Sequence, residues 1–131
     1  MDMGSREESK KLGIKRFFKS FKHSMDGLNY AYKYEQSMLI HVVVTFLVIT
    51  GGFLFKIDVT EWIFVIVLMG TVMGAELLNT AIEAVVDLVS PEYHELAKIA
   101  KDTASAAVLV FSTSAFIVGL LVFMPRIIEF F

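Results

Sequence analysis

Three long runs of apolar residues, at 37–55, 62–89 and 103–124, alternate along this chain with short polar connections. As a helix rising 1.5 Å per residue, each run covers about 28 Å or more, against a hydrocarbon core of ~30 Å, so each is predicted to cross a membrane. A soluble bundle of three buried helices would need polar outer faces. Residues 42–49 and 106–111 have almost none. Ahead of the first run, Phe17, Phe18, Phe21, Met25 and Leu28 recur near the helical period, while Lys15, Lys19, Lys22 and Asp26 occupy other faces. Residues 11–34 are therefore expected to form an amphipathic helix, either lying on the anionic cytoplasmic leaflet or packed against the base of the bundle. Gly27 offers a place for a bend. Residues 1–9 lack apolar periodicity and are expected to be disordered.

Composition supports this outline. Of 131 residues, 56% are hydrophobic, more than an average soluble protein carries, and the length fits a single membrane domain over 1–131. There is no cysteine, hence no disulfide framework and no thiolate metal site. No A-x-A-like cleavage site follows the first apolar run, which is expected to stay in the mature protein. Charge is informative through its placement. Eight Lys and Arg precede the first run, and Lys98 and Lys101 lie in the 90–102 connection, against Lys56 and Arg126 on the opposite side. The positive-inside rule then puts the N-terminus and the 90–102 loop in the cytoplasm, with the 56–61 turn and the C-terminus outside. No nucleic-acid partner is expected.

The second run is unusual for a membrane span because it contains Glu76, Asn79, Thr80, Glu83 and Asp87. At 100° per residue these positions fall within about 100° of one another, on one stripe. Ionisable side chains in hydrocarbon are costly and usually functional. The stripe could instead be a polar contact between helices, although its carboxylates would then leave several charges to satisfy. Glu76 lies about 21 Å along the helix from Trp62, inside the cytoplasmic leaflet, with Glu83 and Asp87 at or beyond the headgroups. This graded depth suits a reaction between a lipid-borne and a water-borne reactant.

Several other residues bear on the same end of the bundle. Ser90 and Pro91 read as the cap and first position of a new helix. Lys101 and Asp102 follow at the cytoplasmic mouth of the third span. Glu35, at the approach to the first span, is either a solvated interfacial charge or a partner for Glu83 in a hard-oxygen Mg²⁺ site completed by substrate phosphates. His41 is either a hydrogen-bonded interior histidine or a proton relay. No phosphate loop or dinucleotide fingerprint is present, and His94-Glu95 fails as a zinc motif because Lys98 stands at the second histidine position. Glu95, Lys98 and Asp102 are spaced for helix-surface ion pairs. On these residues alone a small transporter subunit with an ion-carrying stripe is the rival to an enzyme.

The segments A-E-L-L-N-T-A-I-E-A-V-V-D-L at 75–88, E-Y-H-E-L at 92–96 and A-K-D-x-x-S-A-A-V-L at 100–109 resemble the prokaryotic diacylglycerol kinase family. Weaker similarity extends over about 16–124. The resemblance implies an all-α integral membrane fold, with three transmembrane helices and an interfacial helix, assembled as a homotrimer in the bacterial cell membrane. It implies an ATP- and Mg²⁺-dependent lipid kinase. Glu76 would be the general base, with Asn79 beside it, and Glu35 and Glu83 the Mg²⁺ ligands. Lys101 and Asp102 match a nucleotide-binding pair, and Glu92, Tyr93 and His94 a further ATP-contacting stretch. Arg16 matches a basic residue near the phosphates and lipid, and Ser105 a position near the lipid. His23 stands where relatives often carry a tyrosine against the nucleotide, and Met38-Leu39 where many carry Phe-Arg. The family divides into diacylglycerol and undecaprenol kinases. Residues 35–41 and F-K-I-D-V-T-E-W at 55–62 resemble the Gram-positive branch that favours undecaprenol.

Overall fold

A computed structural model describes residues 13–131 as four helices: α1 (Ile14–Tyr34), α2 (Gln36–Leu54), α3 (Val59–Val89) and α4 (Glu95–Phe130). Residues 1–12, including the expected disordered 1–9 and the first positions of the expected 11–34 helix, lie outside the described residues. The chain divides into two compact units, one holding α1 and the other comprising 35–131. The first is a 21-residue helix that runs unbroken through Gly27.

In the second unit, α2, α3 and α4 are each long and apolar enough to cross a membrane. Helix is the natural state of such segments, because every backbone N–H and C=O must be paired within the chain where water is absent. Hydroxyls inside the spans are settled the same way: Thr50 donates to the Phe46 carbonyl at 2.8 Å and Thr71 to that of Val67 at 2.7 Å. Helix α3 packs chiefly on α4 and more lightly on α2. Large apolar side chains such as Phe46, Leu78, Leu109 and Leu121 remain exposed on the single chain. A water-soluble monomer would not leave them uncovered.

The turn between α2 and α3 is tightly specified. Lys56 takes a left-handed conformation, φ 51°. Ile57 N–H reaches back to the Gly52 carbonyl at 3.1 Å and Lys56 N–H to that of Phe53 at 3.3 Å, the paired bonds of a Schellman stop. Two residues later Asp58 starts α3 with a capping box. Glu61 N–H donates to the Asp58 side chain at 2.9 Å, and Asp58 N–H donates to the Glu61 carboxylate at 2.8 Å. That box places the start of α3 at Val59, ahead of the expected boundary at 62. Glu61 also receives both Arg126 guanidinium nitrogens, at 2.7 and 2.6 Å, which ties α3 to the end of α4. Behind this clasp Ile57, Val65 and Val122 form a small core with Trp62, Val48, Met69, Val118 and Phe123.

At the other end the helix expected to begin at Pro91 does not form. Ser90 ends α3, its N–H bonded to the Val86 carbonyl at 2.8 Å and its hydroxyl donating to the Glu92 carbonyl at 3.0 Å. The serine oxygen therefore closes a local turn instead of capping a helix, and α4 starts at Glu95. His94 is its cap, with Nδ1 accepting from Leu96 N–H at 3.1 Å. From there α4 continues without a break for 36 residues and through Pro125. The expected span at 103–124 is the middle of this longer helix.

Candidate active site

Glu76 is the buried charged side chain among the described residues, 6% exposed, at mid-length of α3. Its Oε1 lies 3.1 Å from His41 Nε2 on α2. Of the two sequence readings of His41, the hydrogen-bonded one is what the structure contains, and its partner is the stripe's deepest carboxylate. Burial of an unpaired carboxylate is prohibitive, so the contact explains how Glu76 is tolerated at that depth. His41 also borders an apolar groove of about 370 Å³ between α2, α3 and α4, walled by side chains such as Val44, Val48, Met69 and Phe116.

One turn further along α3, Asn79 Nδ2 donates to Glu83 Oε1 at 3.3 Å. The Asn79 carbonyl oxygen is buried with no hydrogen-bond partner, an acceptor held out of water. Such an atom is costly unless something outside the chain completes it. Glu35 sits at the N-cap of α2 in extended conformation and makes no side-chain capping bond. Its carboxylate is not consumed by the helix end it occupies. Among the described residues no three metal-ligating side chains cluster.

Beyond Glu83 a second hollow, about 280 Å³, lies between the end of α3 and the start of α4. It gathers Glu92, Tyr93, His94, Lys101 and Asp102, every 35–131 residue expected to touch only the nucleotide, together with Asp87. Lys101 pairs across the hollow with Asp87 at 2.5 Å, while Asp102 pairs with Lys98 on its own helix. The hydrogen bond that Lys101 donates to Asp87, together with the charges of Asp87 and Glu83, holds the Lys101 ammonium above its usual range. Lys101 lies ahead of the apolar stretch of α4. The Lys98–Asp102 pair is the helix-surface contact expected from spacing. Glu95 forms no such pair. Ser105 is exposed on α4, about one turn past Lys101. Arg16 and His23 belong to the separate α1 unit.

Contacts between helices escape any reading of spacing. His41 and Glu76 are 35 residues apart, and Glu61 and Arg126 are 65 apart. Each residue is visible in the sequence as a polar group in or beside a span. Which of them meet depends on helix rotation and register.

Three helices long and apolar enough to cross a membrane, with a carboxylate stripe running from mid-length of α3 to a charged hollow at one end, define a small polytopic membrane protein. Residues 22–123 match the prokaryotic diacylglycerol kinase family. The chain is 41% identical over 114 residues to the undecaprenol kinase of Bacillus subtilis, covering 87% of this chain and 93% of that one. It is 40% identical over 111 residues to a diacylglycerol kinase of Synechocystis, covering 84% of this chain and 63% of that longer one. With the diacylglycerol kinase of Escherichia coli K12 it shares 38% over 98 residues, 75% of this chain and 80% of the relative. The chain belongs to the prokaryotic diacylglycerol kinase family. It is a membrane lipid kinase, which takes ATP and a lipid alcohol, and the transporter reading is set aside.

Proposed function

We propose that this chain transfers the γ-phosphate of ATP to the hydroxyl of undecaprenol, with diacylglycerol as the alternative acceptor. The observation that carries the reading is Glu76, a carboxylate buried in a span and hydrogen-bonded to His41, which itself borders an apolar groove. A lipid alcohol entering from the leaflet brings its hydrocarbon alongside that groove and its hydroxyl towards the carboxylate. The undecaprenol preference rests on likeness to the Bacillus subtilis enzyme over nearly its full length.

Phosphoryl transfer asks little covalent chemistry of a protein and much positioning and charge neutralisation. Glu76 takes the proton of the lipid hydroxyl as the oxygen attacks the γ-phosphorus and ADP departs. Asn79, with its unpartnered carbonyl oxygen, and Ser105 contact the lipid head. Lys101 and Arg16 neutralise phosphate charge. Glu92, Tyr93, His94 and Asp102 line the nucleotide's hollow, with His23 as a further contact. Glu35 and Glu83 are hard oxygen donors of the kind Mg²⁺ shares with substrate phosphates, and two from the protein suffice because the phosphates complete the shell. When bound, Mg²⁺ would offset the charge developing on the transferred group.

The assembly is a homotrimer in this reading, supported by the exposed apolar faces of α2, α3 and α4. Helix α1 lies at the cytoplasmic interface, supported by the exposure of Phe17, Phe18 and Phe21. The N-terminus is cytoplasmic and the C-terminus outside. Competition between undecaprenol and diacylglycerol in the same mixed micelles tests the acceptor. A higher kcat/KM for undecaprenol is expected, and a preference for diacylglycerol would reassign the substrate.

A further inference from the structure

The contact between His41 and Glu76 has a geometry that goes beyond tolerance of a buried charge. His41 Nε2 engages Oε1 alone, and Oε2 has no hydrogen-bond partner among the described residues. The other residues lining the groove beside His41, from α2, α3 and α4, are apolar or neutral, with no second titratable group. Among the described residues, no other side chain hydrogen-bonds this carboxylate. An imidazole suits the position because it can donate a hydrogen bond while uncharged, whereas lysine or arginine would bring a permanent cation into the leaflet.

We propose that His41 is the positioning residue for Glu76. Its Nε2–H donates to Oε1, locks the plane of the carboxylate and leaves Oε2 directed at the lipid hydroxyl. The inference rests on the reading of Glu76 as the base. In the step itself the alcohol O–H bond breaks and its proton passes to Oε2. The freed electron pair forms the new O–P bond, and the bond from the γ-phosphorus to the ADP oxygen breaks. His41 keeps its own proton throughout. This is the arrangement by which a base is oriented by a third group, here with imidazole as the orienting member.

The test compares parent, His41→Ala, His41→Gln and Glu76→Gln as full chains in mixed micelles. The acceptors are undecaprenol and an analogue fluorinated next to the carbinol carbon, whose hydroxyl is more acidic. His41→Ala should lose about 10- to 100-fold in kcat, the range for removal of an orienting partner, with KM for ATP unchanged. The loss should shrink on the fluorinated alcohol, since a more acidic hydroxyl leans less on its base. His41→Gln, which keeps an N–H donor, should recover part of the rate. Equal loss on both alcohols, or full activity in His41→Ala beside an inactive Glu76→Gln, overturns the positioning role while leaving Glu76 as base. Full activity in Glu76→Gln instead removes the base reading, and this inference with it. Should His41→Ala not fold, ¹⁵N-imidazole spectra of the parent and Glu76→Gln decide. The His41 resonances should move while those of His23 and His94 hold, and an unmoved His41 would overturn the contact.

Discussion

The turn end of the bundle yields a prediction that can be worked from distances. A Cβ added at Gly52 would lie 2.6 and 2.7 Å from two carbons of the Trp62 indole and 3.2 Å from Ile57 Cδ1. Ordinary carbon contacts sit near 3.5–4.0 Å, so the ring must retreat by roughly 1 Å. It has little room. The indole meets the Phe53 ring at a 52° tilt, centroids 5.0 Å apart, and packs against the Ile57, Val65 and Val122 core. Overpacking of this kind costs about 1–3 kcal/mol, from which replacing a helical glycine by alanine returns ~1 kcal/mol, a net loss of up to about 2 kcal/mol for Gly52→Ala. Trp62 is the single tryptophan of the chain, so its fluorescence during unfolding by SDS in mixed micelles reports the site directly. Read by loss of helical circular dichroism, since no tryptophan then remains, Gly52→Ala in a Trp62→Leu background should lose most of its penalty. Gly27→Ala is the control, since a Cβ there meets nothing within 4 Å, and it should be neutral or stabilising. Parental stability and unchanged Trp62 emission in Gly52→Ala would refute the close approach.

Other outcomes follow from the same geometry. Lys56→Gly should stabilise by about 0.5–1 kcal/mol in SDS unfolding, because a left-handed residue at φ 51° is strained for any side chain, and no gain would deny that strain. Arg126→Ala should unfold at lower SDS than the parent while turnover per folded molecule stays parental; lost turnover at parental stability would contradict a purely structural clasp. Glu35→Ala and Glu83→Ala should each lower Mg²⁺-dependent turnover by about 100-fold or more while eluting at the parental size, read by Mg²⁺ titration and by size exclusion, and normal activity in either would remove that residue from the metal site.

How much of this was open to inspection in the sequence depends on the range of the forces involved. The three spans are legible because a bilayer imposes a length and a composition on each, and the Glu76 to Asp87 stripe is legible because helical periodicity puts its members on one face. Local termini are harder. The Asp58-x-x-Glu61 box is a readable signal that fixes the start of α3, but Lys56 gives no hint of its left-handed turn, since the glycines at 51 and 52 lie inside α2 and Gly52 answers to Trp62 instead. Ser90 and Pro91 resemble a helix start, yet α4 is capped four residues later by His94, a side chain outside the usual capping set. Contacts between helices are not legible at all. His41 with Glu76, Glu61 with Arg126 and Asp87 with Lys101 depend on how each helix is rotated against its neighbour, which no single-helix pattern encodes.

The central claim is that a carboxylate buried in a span activates a lipid hydroxyl towards ATP. Purified chain supplied with γ-³²P ATP, Mg²⁺ and undecaprenol in mixed micelles should place label in the lipid, and Glu76→Gln, folded and assembled as the parent, should do so about 10²- to 10⁴-fold more slowly. Label entering the lipid at the parental rate in Glu76→Gln would contradict the account.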